Sequence, residues 1–177
     1  MSIEYVGNNL TQEHKDAVWN LLVACDQDFY PPLSARTSTS QKTFDTDSTA
    51  GTVPKEYYES MLEQDFVFAR EGGKLVGFLS FKPNYICPEL SEYGKTIYMT
   101  TMCVYPEMRG HGISGGLYTA VEKDARELWK LPVITTRTWS TNAAQMYMLP
   151  KRGYRIEKVL VNDRGNGVDS VYFVKEQ

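Results

Sequence analysis

The sequence predicts an α/β (α+β) fold, and three stretches carry the prediction. Ile97 to Val104 is an apolar, β-prone run between Gly94 and Pro106, and behind it Ile113, Leu117, Val121, Ala125 and Leu128 recur at spacings of four and three. That is a buried strand followed by one face of an amphipathic helix. Phe66 to Arg70 and Leu75 to Phe81 flank Glu71-Gly-Gly-Lys74, which reads as an antiparallel hairpin. Tyr154 to Val161 and Asp169 to Val174 read as a second hairpin around Asn162-Asp-Arg-Gly-Asn-Gly167.

The other elements fall around these. Ile3 to Val6 is a short first strand closed by Gly7-Asn8-Asn9. Thr11 is placed to cap a helix from Gln12 to Asp26, in which Ala17, Val18, Leu21, Leu22 and Cys25 keep helical spacing. Ser34 to Thr52 is rich in turn formers and poor in hydrophobes, so it reads as a long loop. Pro54, at a first helical position, opens a short helix ending near Gln64. The helix from Ile113 ends near Trp129, and Leu131-Pro132 turns the chain into a strand from Val133 to Trp139. Ser140 or Asn142 opens a third main helix, and Gly153 in Lys151-Arg-Gly153 stops it.

Composition narrows the function. A chain of 177 residues with 42% hydrophobic and 23% charged residues suits one globular domain, 1–177, with a real core. A net charge of −3 leaves no basic footprint for nucleic acid. Apolar runs fall well short of the ~20 residues of a membrane span, and the first residues carry no signal-peptide pattern, so a cytoplasmic protein with no membrane partner is expected. Cys25, Cys87 and Cys103 have no C-x-x-C spacing, and His14 and His111 are far apart, so neither a disulfide frame nor a metal is expected. Cys25 and Cys103 sit in apolar stretches and read as small buried hydrophobes.

The loop between the buried strand and its helix is where chemistry concentrates. A helix start exposes unpaired N–H groups and the positive end of the dipole, and glycines let the backbone close on a phosphate. Gly110, Gly112 and Gly115 spell G-x-G-x-x-G, but five residues separate the strand from the first glycine, and the strand Val133 to Thr138 carries Arg137 where a dinucleotide fold has an acid. Val104-Tyr-Pro-Glu-Met-Arg109-Gly-His-Gly112-Ile-Ser114 instead resembles the acetyl-CoA pyrophosphate loop of the GNAT N-acetyltransferases, Gln/Arg-x-x-Gly-x-Gly/Ala after a strand and a Val-x-Pro turn. Arg109, Gly112 and Ser114 fall on its three fixed positions, with Ser where the family usually has Gly or Ala.

A second segment, Asn142-Ala-Ala-Gln-Met-Tyr147-Met-Leu-Pro-Lys151-Arg-Gly153-Tyr154, resembles the family pattern Asn-x-x-Ala-x-x-x-Tyr-x-Lys-x-Gly-Phe, with Asn142, Lys151, Gly153 and Tyr154 in register. The family Tyr position holds Leu149, and the nearest tyrosine is Tyr147. A helix starting near Asn142 turns Tyr147 away from the thioester sulfur, because two residues rotate a side chain by about 200°. An earlier start with an irregular end at Pro150 brings it back.

The resemblance covers nearly the whole chain and implies a mixed, mostly antiparallel sheet of about seven strands flanked by helices. It implies an acetyl-CoA-dependent N-acetyltransferase that passes the acetyl group directly to a primary amine of a small molecule or peptide, with no metal, and a homodimer as one open assembly. The cofactor contacts it implies are Met102, Cys103 and Val104 on the strand, Arg109, Gly110, His111, Gly112, Ile113 and Ser114 in the loop, and Asn142 on the pantetheine arm. Tyr147 takes the role of proton donor to the thiolate, and Tyr98 stands near the position of the general base, since the strand lacks the family's Glu. Glu89 and Glu92 lie just upstream and can act through water; Cys103 as an acetylated nucleophile is a further alternative. The missing Glu and displaced Tyr leave a non-catalytic acyl-CoA-binding module as the rival. The Ser34–Thr52 loop is expected to cover the acceptor site, with Tyr30 near the substrate.

Overall fold

The structure is a computed structural model that describes residues 1–44 and 51–176. Seven strands form one sheet in the order β1-β2-β3-β4-β5-β7-β6: β1 Ser2–Gly7, β2 Asp65–Glu71, β3 Lys74–Tyr85, β4 Thr96–Val104, β5 Val133–Trp139, β6 Arg155–Leu160 and β7 Ser170–Glu176. Only β4 and β5 run parallel; the other neighbours are antiparallel. This is the mixed, mostly antiparallel sheet that the sequence predicts. The β2–β3 turn places Gly72 at φ +55° and Gly73 at φ +81°, the two positive angles that a tight primed hairpin turn requires.

Both sheet faces are covered, which is why the central strands read as continuous apolar runs. Helices α1, Gln12–Cys25, and α2, Lys55–Met61, lie on one face, where Phe66, Phe68 and Phe78 pack with Leu21, Leu22 and Tyr57. The alternate residues Val67, Ala69 and Leu79 point the other way, toward Ile113 and Leu117 of α3. Helix α3, Ile113–Ala120, continues through a π-turn at Val121–Ala125 into α4, Arg126–Trp129. Helix α5, Ala143–Lys151, packs Leu149 into the same core.

The expected punctuation recurs in the structure. Thr11 Oγ1 accepts from His14 N at 3.2 Å, and Asn142 Oδ1 accepts from Gln145 N at 3.3 Å, so both cap helix starts. Gly153 follows α5 in the left-handed region at φ +86°. Two expectations need correction. Strand β3 runs to Tyr85 rather than stopping at Phe81, bent by register shifts at Ser80/Phe81 and Lys82/Tyr85. The Ser34–Thr52 stretch is not uniformly a polar surface loop: Leu33–Ala35 makes a 3₁₀ turn, and Arg36, Thr39 and Phe44 are buried. Residues 45–50 of that stretch lie outside the described residues.

Gly77 sets how closely α3 approaches the sheet. A Cβ there would stand 3.1 Å from Cys103 O and 3.2 Å from Ile113 Cγ2, one of them backbone and neither at the end of a long flexible chain. Gly77→Ala is therefore expected to lower stability by about 1–3 kcal/mol, read as a lowered urea midpoint with an unchanged slope. An unchanged midpoint would mean that α3 is not seated on β3 at this point.

Candidate active site

The site opens where the parallel pair comes apart. Strands β4 and β5 pair only over Ile97–Ile134, Tyr98–Thr135 and Met99–Thr136. The next residue, Thr100, is an extra one: Ser80 of β3 faces Thr101 while Phe81 faces Met99. Such a bulge bends the strand and increases its twist. Thr100 is held there by its hydroxyl, which donates to Gln64 Oε1 at 2.6 Å. Beyond it, β4 has no strand beside it on its β5 side, and a cavity of about 260 Å³ fills the split.

Backbone polarity in the split follows from the ladder. Tyr105 N donates to Val76 O at 3.1 Å, toward β3. Residues alternate in an antiparallel ladder, so Cys103 also turns its backbone to β3, whereas Met102 and Val104 turn theirs into the split. An extended amide-bearing chain laid there gains strand-like hydrogen bonds. Of the three strand residues expected to contact pantetheine, Met102 therefore offers backbone groups and Val104 its N–H, since Val104 O already accepts from Arg109 Nε and Cys25 Sγ, and Cys103 offers only its thiol.

The loop beyond β4 has the backbone shape that suits an anion. Gly110 and Gly112 sit at φ +80° and +77°, and a Cβ built on either would meet nothing within 4 Å. Gly112 is the N-cap of α3 and has no side chain to bond the first turn, so the N–H groups of Ile113, Ser114 and Gly115 face outward with the dipole behind them. Ser114 lines the cavity, whereas Gly110, His111 and Gly112 are exposed and are not among its lining residues. Arg109 also lines the cavity, but its Nε donates to Val104 O at 3.1 Å and its guanidinium meets Asp28 Oδ2 at 2.5 Å.

The remaining candidates separate. Asn142 lines the cavity and is fixed twice, capping α5 and donating from Nδ2 to Thr138 Oγ1 at 3.1 Å. Tyr147 does not: α5 begins at Ala143, so the two-residue offset puts Leu149 in the core and Tyr147 on the outer face, 66% exposed, with Lys151 donating to its hydroxyl. Tyr98 is buried against Tyr85, ring centroids 5.0 Å apart, and does not line the cavity. Burial pushes its phenol well above the ordinary value, so it is neutral at pH 7 and holds its proton too tightly to be a base. Glu89 accepts from Cys87 Sγ at 3.4 Å, and neither it nor Glu92 lines the cavity. The Cys103 thiol is pushed up by burial and by its contact with Cys25, the opposite of what a nucleophile needs.

Several cavity residues are invisible to the motifs. Cys25, Asp28 and Phe29 reach it from the end of α1, Arg137 and Trp139 from β5, and Tyr118 and Gln145 from the two helices. Tyr118 O–H donates to Gln145 Oε1 at 2.7 Å. A signal for Tyr118 existed: it stands one helical turn after Ser114. Arg137 was marked by being the one charged residue of its strand. Among the described residues no three His, Cys, Asp or Glu side chains group to hold a metal, and no helix is long and apolar enough to cross a membrane.

Comparison with known proteins agrees with this geometry. The family model described as Acetyltransferase (GNAT) family matches residues 20–154, from α1 through both motif segments. Curated proteins give no match. Among solved structures, the chain is similar to ribosomal-protein-alanine N-acetyltransferase from Brucella melitensis, at 17% identity and TM-score 0.68 with all of both chains covered. It is similar to the aminoglycoside 6′-N-acetyltransferase from Enterococcus faecium, at 18% identity and TM-score 0.68 over 99% of this chain and 97% of that one. It also resembles a GNAT family acetyltransferase from Elizabethkingia anophelis with acetyl-CoA bound, at 16% identity and TM-score 0.54 over 64% of this chain and 76% of that one. With its family-model match spanning the split sheet and the glycine loop alike, this chain belongs to the GNAT acetyltransferase family.

Proposed function

We propose that the chain is an acetyl-CoA-dependent N-acetyltransferase that moves the acetyl group directly to a primary amine of a small molecule or peptide, with both substrates bound together. The observation that carries this is the joining of two features in one cavity: a strand edge without a partner, at Met102 and Val104, and an uncapped helix start at Ile113 to Gly115. The first suits a pantetheine arm and the second a pyrophosphate. A thioester arrives already activated, so the protein has only to bind it, align the amine and manage protons. Calorimetry with acetyl-CoA followed by a free-thiol assay over an amine panel tests the reading; failure to bind acetyl-CoA contradicts it. Binding without turnover would leave a non-catalytic acyl-CoA-binding module. That rival is favoured by one observation: Asp28 is the only carboxylate among the described cavity residues, and it is ion-paired to Arg109.

Proton handling follows from the same inventory. Tyr118 is the cavity's candidate to protonate the departing thiolate, since it is the tyrosine that lines the cavity, with Gln145 fixing its hydroxyl's direction. Among the described cavity residues no free base stands ready, so the acceptor enters as the free amine. The pH dependence of kcat/KM is then expected to rise with unit slope and to level off near the acceptor's own amine pKa, moving when a less basic amine is used. A midpoint that stays near pH 6–7 for every amine would reveal a protein base and contradict this.

A further inference from the structure

Three arginines meet around a single ring on the α1–α2 face of the sheet. The guanidinium carbons of Arg164, Arg137 and Arg36 lie 4.4, 5.1 and 5.4 Å from the centroid of Phe44. Arg164 is 1% exposed and Arg36 8%. Among the described residues their hydrogen bonds go to neutral oxygens. Arg36 donates to the carbonyls of Pro31 and Tyr30, Arg164 to Tyr30 O and Ser170 Oγ, and Arg137 to Gln41 O and the Tyr172 hydroxyl. Lys82 adds a fourth cation nearby, resting on Ser40 Oγ. Among the described residues none of the four forms a salt bridge. Among the described residues, two nearby acids are otherwise engaged: Asp26 accepts from Ser34 N at 2.6 Å and Ser34 Oγ at 2.8 Å, and Asp163 accepts from Ser170 Oγ.

Gathering unpaired cations inside a protein is costly, and proteins that do so commonly use them. Burial, reinforced by the neighbouring arginines, pushes Arg164 down to about 9, and burial with Arg137 adding to it pushes Arg36 down to about 10. Both remain charged at neutral pH. Position says what the charge is for. Arg137 follows Thr136, the last residue of β5 paired to β4, so it stands at the apex of the split and lines the cavity. A pyrophosphate at the start of α3 puts the acyl end of the same molecule toward that apex.

Resting on the acetyltransferase reading, we propose that the acceptor is an amine bearing an acidic group, carboxylate or phosphate, which Arg137 binds directly while Arg36 and Arg164 behind it supply the field. A guanidinium offers planar, paired donors to either oxyanion. The test uses matched pairs with acetyl-CoA saturating: β-alanine against β-alaninamide, and phosphoethanolamine against ethanolamine. The acid of at least one pair is expected to show a kcat/KM at least tenfold above its neutral partner and to raise Tm where the partner does not; which pair responds separates carboxylate from phosphate. R137Q is expected to bring the ratio within twofold and remove the Tm shift, and R137K, which keeps the charge, to restore part of both. Neutral amines handled as well as or better than acids, no acid-specific Tm shift in any pair, or a preference untouched by R137Q would overturn the proposal. Calorimetry with acetyl-CoA alone separates the two levels, because loss of that binding defeats the acetyltransferase reading itself.

Discussion

Ser114→Glu is expected to weaken acetyl-CoA binding by roughly 30- to 100-fold, about 2–3 kcal/mol, while leaving Tm unchanged or raised. Ser114 is the second residue of α3, in a first turn that contains no acid and has no side-chain cap. A carboxylate there complements the dipole, which favours the helix by about 0.3–1 kcal/mol. The same carboxylate occupies the anion site and repels the phosphates at close range. Opposite signs on stability and binding distinguish an anion site from a helix start that merely packs. Calorimetry and thermal melts on one preparation check it; unchanged affinity would remove the pyrophosphate from this loop. Ser114 serves this purpose better than Gly112, where φ of +77° strains any residue with a Cβ and would confound folding with binding.

Tyr118→Phe is expected to lower kcat by roughly 10²-fold with little change in acetyl-CoA affinity, as the loss of a proton donor should. Tyr147→Phe is expected to stay within twofold of the parent. The contrast is set by position: the Tyr118 hydroxyl reaches Gln145 within the cavity, whereas that of Tyr147 lies with Lys151 on the outer face of α5. Steady-state kinetics on the two variants decide it, and the reverse order of effects would restore the role that the motif alone assigns to Tyr147.

What the sequence could and could not reveal divides by range. Local signals translate directly. Thr11 and Asn142 cap, Gly72-Gly73 turns a hairpin, and Ile113, Leu117, Val121 and Ala125 bury one face, although Leu128, expected on the same face, is exposed beyond the π-turn. Each depends on neighbours a few residues away, and so does the glycine loop, whose shape lies in its own backbone. The split between β4 and β5 is different: it needs Thr100 to bulge against Ser80 and the pairing to end at Thr136, a matter of register between distant strands. The arginine cluster draws on residues 36, 137 and 164, brought together by topology, and its hub Phe44 sits in a stretch whose composition reads as a polar loop. Tyr147 shows the cost of motif register. Its distance from the family position is two residues, and on a helix two residues is nearly the opposite face.

The most direct measurement is a titration of the ¹⁵N-labelled protein with acetyl-CoA, following backbone amide resonances. The expected result is a saturable set of shifts centred on the amides that face the split and the helix start, Met102, Val104, Ile113, Ser114 and Gly115, with amides of the outer strand β6 unmoved. Shifts confined elsewhere, or no saturable shift up to millimolar acetyl-CoA, would contradict the placement of the cosubstrate between β4 and β5.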